Sequence, residues 1–216
     1  MVAITSPTER SFLEDVRGHE LIILRDDGVH RHLRFRRPES GTYWFDLITW
    51  PGTLCIDGDM GTYVFRRLED MFEFFRADRQ YQIKDGRTLF INPGYWGEKL
   101  ASISKNGGLE EFSPEKFRSN VKEYFDNWKD SSDACPKEFE KLWNEIEGDV
   151  LFDCENEYES YAAAHSFAYP SLDFSFSDFW EFNCKDYTYH FIWACYAVAW
   201  GVNLYDNATT KLTESA

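Results

Sequence analysis

The chain reads as an α+β fold: an N-terminal antiparallel β-meander of about five strands covered by helices, followed by a mainly helical C-terminal half. Three observations carry this. Between His19 and about Arg67, apolar residues recur with a period of two, broken only by short turn signals. From Leu68 the period becomes 3.6. The composition is 43% hydrophobic and 18% aromatic, which excludes intrinsic disorder.

The elements follow in order. Ser6, Pro7 and Glu9 predict a capping box opening a short first helix, and Gly18 a left-handed end to it. "HELIILR", the turn "DDG" and "VHRHLRFRR" form a hairpin in which Val29, Arg31, Leu33 and Phe35 alternate with His30, His32, Arg34 and Arg36. "TYWFDLITW" is a third strand and Pro51-Gly52 a turn. "TLCI" and "TYVFRR" are two more strands, joined by "DGDMG". Leu68, Met71, Phe72 and Phe75 then mark one face of a helix that covers the sheet. "INPGYWGEKLAS" and "KNGG" read as loop with a short helix.

Further on, Ser113-Pro114-Glu115 and Pro136 each open a helix, and a third runs near Glu155–Phe167. "YPSLDFSFS" reads as loop or a short edge strand, and Ser177 caps a helix through Cys184. The last helix, about Asp186–Asn203, is apolar nearly all round and therefore central. Past Asp206 the tail reads as frayed. On this reading residues 1–105 form the sheet with flanking helices, and 106–216 form an acidic helical region packing on it in one compact domain.

The apolar stretch Phe191–Val202 is 12 residues long, short of the ~20 that span a bilayer. No basic start followed by an apolar run opens the chain, so no secretory leader is expected. Five cysteines without a CxxC spacing argue against a disulfide scaffold and for a reducing cytoplasm.

Charge is distributed unevenly. The total is −15, which opposes nucleic acid and anionic membranes as general partners and favours a basic protein surface. Residues 1–100 hold 14 basic and 16 acidic residues, whereas 101–216 hold 9 and 22. From Leu142 to Cys184 there is no lysine or arginine, but ten acids: Glu145, Glu147, Asp149, Asp153, Glu155, Glu157, Glu159, Asp173, Asp178 and Glu181. Tyr158, Tyr161, Phe174, Phe176, Phe179 and Trp180 are interleaved with them. One reading is a solvated acidic surface. The sharper one is a polyanionic docking face anchored by aromatics, Tyr158 and Trp180 among them, approaching the ~1 charge per 1.7 Å of duplex DNA.

Other constellations compete. His30 and His32 share a strand face, and with Asp57 and Asp59 would supply two imidazoles and carboxylates to a metal. The bland alternative is a polar strand face and a hairpin turn. Asp57-Gly58-Asp59 lacks the remaining ligands of an EF-hand. Arg31, Arg34, Arg36 and Arg37 form a basic strip for phosphate or nucleic acid, or partners for the chain's own acids. His165 and His190, with Cys184 or Cys195, have the composition of a Cys-His pair, against buried core positions. No Gx4GK[ST], GxGxxG, GxSxG or HExxH occurs, and no cofactor is expected.

The segment from "FLEDVRGHELIILRDDGVHRHLRF" through "WPGTLCIDGDMGTYVFRRLEDMFEFFR", with "INPGYWGEKL" and "FWEFNCKDYTYHFIWACYAVAWGVNLYD", resembles an uncharacterised family of tailed-bacteriophage and prophage accessory proteins. Residues 106–176 share least in this resemblance. It implies expression in a bacterial cytoplasm from a mobile genome, and small accessory proteins of that kind often inhibit host defence. It implies no catalytic residue or cofactor. The expectation is thus a non-enzymatic acidic protein that binds a basic partner, such as a DNA mimic acting on restriction or CRISPR machinery. The rival expectations are a metal-dependent hydrolase or nuclease using His30, His32, Asp57 and Asp59, and a nucleic-acid-binding factor using the arginine strip.

Overall fold

A computed structural model describes residues 6–77, 88–105 and 107–214. The fold is α+β, with helices following an antiparallel sheet. Two compact units divide the chain. Residues 1–109 and 187–216 form the first, and residues 110–186 form the second. The boundary therefore differs from the expected 105/106. The last helix belongs to the first unit's core, not to the acidic helices. Its apolar surface predicts burial but does not say against what. Asn106, at the expected boundary, lies outside the described residues.

In the first unit, β1 (Glu20–Asp27), β2 (His30–Arg36), β3 (Phe45–Trp50), β4 (Thr53–Gly58), β5 (Gly61–Arg66) and β6 (Leu100–Ile103) form one sheet in sequential order, each pair antiparallel. The five expected strands are present. β6 falls where the sequence predicts loop, because four residues after a turn carry no alternation to detect. Gly28, Gly52 and Gly61 take φ of +59°, +77° and +92° at the β1–β2, β3–β4 and β4–β5 turns, a region that disfavours any side chain. A bulge after Ile23 interrupts the β1–β2 ladder.

Alternation gives the sheet one apolar face. Leu33, Phe35, Phe45, Leu47, Leu54, Ile56, Tyr63 and Phe65 are buried on it. α7 (Tyr189–Glu214) supplies Phe191, Trp193, Cys195, Val198 and Val202 to the same core, and it extends past the expected frayed tail. α1 (Glu9–Asp15) docks on it, with Phe12 5.2 Å from Trp193 and the Trp193 indole donating to Asp15 at 3.0 Å. Its N-cap is Thr8, with Ser11 in the reciprocal role. The expected Ser6–Glu9 box misplaced the cap by two residues, because Ser, Thr and Glu at adjacent positions offer the same chemistry twice. α2 (Met71–Arg76) buries Met71, Phe72, Phe74 and Phe75. Leu68 precedes the helix and is exposed, because Asp70 caps it. α3 (Pro93–Gly97) adds the buried Trp96.

One charge enters this core. Arg31 alternates onto the apolar face of β2 and is 8% exposed. Both its terminal nitrogens donate to Asp70 at 2.9 Å, and Asp70 also accepts from the Phe72 amide at 2.9 Å. The guanidinium lies over Phe72 at 4.6 Å. Nearby, Arg76 on α2 forks onto Asp206 on α7 at 2.6 and 3.0 Å.

In the second unit, α4 (Pro114–Asp130), α5 (Pro136–Asp149) and α6 (Glu157–Ser166) surround an aromatic core with the two-residue strands β8 (Ala168–Tyr169) and β9 (Phe174–Ser175). β7 (Glu110–Phe112) pairs with β10 (Lys185–Tyr187). The expected helix from Ser177 through Cys184 is only a 3-10 turn, Phe179–Glu181. Asp178 sits in the left-handed region at φ 57°, which a helix start does not allow. Phe174, Phe176 and Phe179 are buried in this core and not on the surface.

Two outcomes follow. A Cβ on Gly201 of α7 would lie 2.8 Å from Leu47 Cδ1 and 3.1 Å from Phe35. Gly201→Ala is therefore expected to destabilise by ~1–3 kcal/mol, measured by denaturant unfolding. Asp70→Ala leaves the Arg31 charge unpaired in the core and is expected to cost about 3 kcal/mol. The pair is also pH-linked. Burial raises the Asp70 pKa, but hydrogen bonds from Arg31 and Phe72 and the charges of Arg31 and Arg76 outweigh it, leaving the carboxyl below 3.8. Between its folded and unfolded pKa values the unfolded chain binds more protons, so this stability is present above about 3.8 and lost as pH falls through the folded value. Acid titration of stability should be shallower in Asp70→Asn than in the native chain.

Candidate functional site

The second unit carries 20 acidic and 7 basic residues, a net −13, against −2 for the first. All ten acids of the cation-free run are exposed. Glu155 pairs with Arg118 at 3.3 Å and Glu157 with Lys185 at 2.9 Å. Among the described residues the other eight make no ion pair. Helical spacing does not gather them into one row. On α5, Glu145 and Asp149 are one turn apart. Glu147 projects to the other flank of the Leu142–Ile146 stripe. Glu157 and Glu159 likewise flank the buried Ser160 and Ala164 of α6.

The aromatic side of this unit is more sharply organised. Tyr158, Tyr161, Ala162 and His165 fall at i, i+3, i+4 and i+7, one face of α6. That face opposes the 3-10 turn, and between them lies an open groove of about 840 Å³. Phe176 and Phe179 form its buried floor, and Tyr158, His165 and Trp180 stand as walls. The His165 and Trp180 rings meet edge-on at 6.5 Å. Asn156 caps α6 by accepting from Tyr158 N at 2.9 Å and, with Glu157, makes the polar end. The Tyr161 hydroxyl donates to Phe182 O at 2.8 Å, tying α6 to the segment after the turn and fixing the groove's width. A second pocket of about 380 Å³ adjoins through Glu157, Tyr161 and Trp180, and adds Glu181 and Lys185. Tyr158, Trp180 and Glu157, singled out in the sequence, thus meet at one place.

Tyr158 is 81% exposed and Trp180 61%. Phe152, 85% exposed, was missed by sequence reasoning. Its signal was available: an aromatic outside any helical period, next to Asp153. These are the three most exposed large apolar side chains among the described residues, and all lie in the cation-free run.

The metal constellation is not assembled. His32 Nε2 lies 2.8 Å from Asp46 Oδ2, and Arg34 forks onto the same carboxylate at 2.9 and 2.8 Å. Burial raises the Asp46 pKa, yet bonds from Arg34 and His32 outweigh it and lower it overall. Asp57 accepts from Thr62 at 2.5 Å, and Asp59 from the Tyr43 amide at 2.5 Å, as residues of a hairpin. His30 pairs across from Asp27 in the β1–β2 ladder. Among the described residues no three His, Cys, Asp or Glu are placed to hold a metal ion.

The Cys-His reading fares similarly. Cys195 is enclosed in the first core, and Cys184 receives Asn120 Nδ2 at 3.2 Å. His165 and His190 are exposed and not core residues. The five cysteines are unpaired thiols. The arginine strip is divided by the pleat. Arg31 points into the core, while Arg34 and Arg36 line a small pocket of about 210 Å³ with Ser40, Gly41 and Trp44 on the other face. Among the described residues no helix is long and apolar enough to cross a membrane.

No protein-family model, curated protein or solved structure matches the chain.

Because Asp46 already occupies His32, added zinc, manganese or magnesium is expected to leave the thermal midpoint unmoved. A dose-dependent rise would reveal a site that these hydrogen bonds do not explain.

Proposed function

We propose that this chain is a non-enzymatic acidic accessory protein that docks on a basic protein surface through its second unit. Its most specific form is a DNA-mimic inhibitor of a restriction- or CRISPR-type defence system, encoded by a phage or prophage and acting in the bacterial cytoplasm. One observation carries the reading. The three most exposed aromatics among the described residues, Phe152, Tyr158 and Trp180, share a 43-residue cation-free stretch with ten exposed acids. Acids alone would serve solubility. Large aromatics left in water among them are what a protein interface covers, and a flanking field of one sign steers the partner in. Because the acids flank the helices on both sides, the reading rests more on this mixed patch than on a phosphate-like ladder.

A second reading has one observation in its favour. The Arg34–Arg36–Trp44 pocket has the donors and the ring that suit an anionic or nucleic-acid ligand. Asp46 already takes the fork of Arg34, which leaves Arg36 as the principal free charge there.

Immobilised protein should capture a basic protein from bacterial lysate at low salt and release it as screening increases. Neutralising Glu145, Glu147, Asp149, Asp153 and Glu159 to their amides should abolish capture of that partner. His30→Ala with His32→Ala should not. Capture of no basic protein, or of one indifferent to salt, would sink the proposal.

A further inference from the structure

We infer that the groove between α6 and the 3-10 turn is a receptor for an arginine side chain of the partner, held between Tyr158 and Trp180 with Glu157 as its counter-ion. This rests on the proposed docking function and narrows it to one contact. The lining argues for that chemistry. It holds four benzenoid rings, an indole, the His165 imidazole, one carboxylate and no lysine or arginine, so an anionic ligand finds no permanent positive charge. A purely apolar ligand would leave the Glu157 carboxylate at the polar end unmatched. A guanidinium satisfies both parts. It is planar, stacks on aromatic faces, is more weakly hydrated than an ammonium, and presents a fork to a carboxylate. The volume of about 840 Å³ exceeds one side chain and suits an arginine set in a short segment with apolar neighbours over the Phe176–Phe179 floor.

The unit already contains a stand-in for the ligand. Lys185 sits in the adjoining pocket with its ammonium 2.9 Å from Glu157. The hydrogen bond and charge of Glu157 raise the Lys185 pKa. An arriving arginine takes over Glu157 by exchanging one exposed ion pair for another with a better donor fork. The rings around it supply what lysine lacks there. The field of the second unit, −13 over residues 110–186, concentrates cations at the mouth.

The test uses the full chain and a capped hexapeptide of alternating leucine and arginine. Leucine–glutamine and leucine–glutamate hexapeptides serve as controls. The readout is the indole N–H resonance of Trp180 in a nitrogen-15 spectrum, assigned by its disappearance in Trp180→Phe. The arginine peptide should shift it in a saturable, salt-weakened way, and the controls should not. Trp180→Ala or Tyr158→Ala should weaken binding about tenfold, the scale of a partly desolvated cation–π contact. Both side chains are mostly exposed, so a circular dichroism spectrum should stay native. Glu157→Gln should weaken binding about threefold, and Lys185→Met should tighten it about threefold, by removing the internal competitor. A Trp180 resonance unmoved by the arginine peptide, or moved equally by all three, overturns the inference. If amide variants of the outlying acids abolish partner capture while Trp180→Ala and Tyr158→Ala do not, the groove assignment fails and the docking function stands. If neither set matters, both fall.

Discussion

The first unit is organised around one guanidinium in an apolar face. β2 brings Arg31 inward between core positions because a strand alternates without regard to charge. Such a cation is tolerated only when paired and hydrogen-bonded. Asp70 meets that demand and in the same act caps α2, so the helix begins where the carboxylate must be. That choice leaves Leu68 outside the helix and turns Met71, Phe72 and Phe75 onto the sheet. Tyr205 of α7 then lies 5.6 Å from the guanidinium and donates from its hydroxyl to Asp26 of β1 at 2.9 Å. One charge thereby links two strands, a short helix and the long closing helix.

Much of this was legible in the sequence, and the misses share a cause. Hairpins were readable because Pro51-Gly52 and the Asp57–Gly61 turn interrupt a period of two with residues that supply left-handed backbone. α7 was readable because it is apolar on every side. Its destination was not. Burial is a property of one segment, whereas the choice of core depends on residues about a hundred positions away. The same limit explains the metal reading. His32 and Asp46 are 14 positions apart and meet only because β2 and β3 pair in a particular register. Spacing along the chain placed His30 and His32 on one face but gave no sign that Asp46 lies beside them. β6 and the 3-10 turn failed for a simpler reason, being too short to show a period.

In the second unit the structure divides parts that the sequence interleaves. Six aromatics were interleaved with acids, and burial separates them. Phe174, Phe176 and Phe179 became core, Tyr161 became a strut through its bond to Phe182, and Tyr158 and Trp180 remained outside. Helical spacing sets residues 158, 161, 162 and 165 on one face of α6. Only the left-handed turn at Asp178 explains why Trp180 stands opposite it. That conformation costs a non-glycine residue ~1 kcal/mol, and aspartate is among the side chains that tolerate it best. The turn thus presents Trp180 across the groove from the Tyr158 face of α6.

In the proposed docking, acidity and aromaticity would act on different parts of the same association. The eight acids without an ion pair among the described residues repel one another at every ionic strength below full screening, a cost the folded unit bears continuously. Relief comes from any cation, so under the proposal this term would draw a basic partner close without choosing among basic partners. The exposed rings are indifferent to charge at a distance, yet discriminate on contact, because stacking demands a planar or apolar group at a set separation. Their exposure is the costly feature, since ~25 cal/mol is forgone for each square ångström of apolar surface left in water. A surface under selection for solubility alone would replace Phe152, Tyr158 and Trp180 with polar residues and keep the acids. Their presence within the most acidic stretch of the chain is the physical ground on which the proposed docking surface rests.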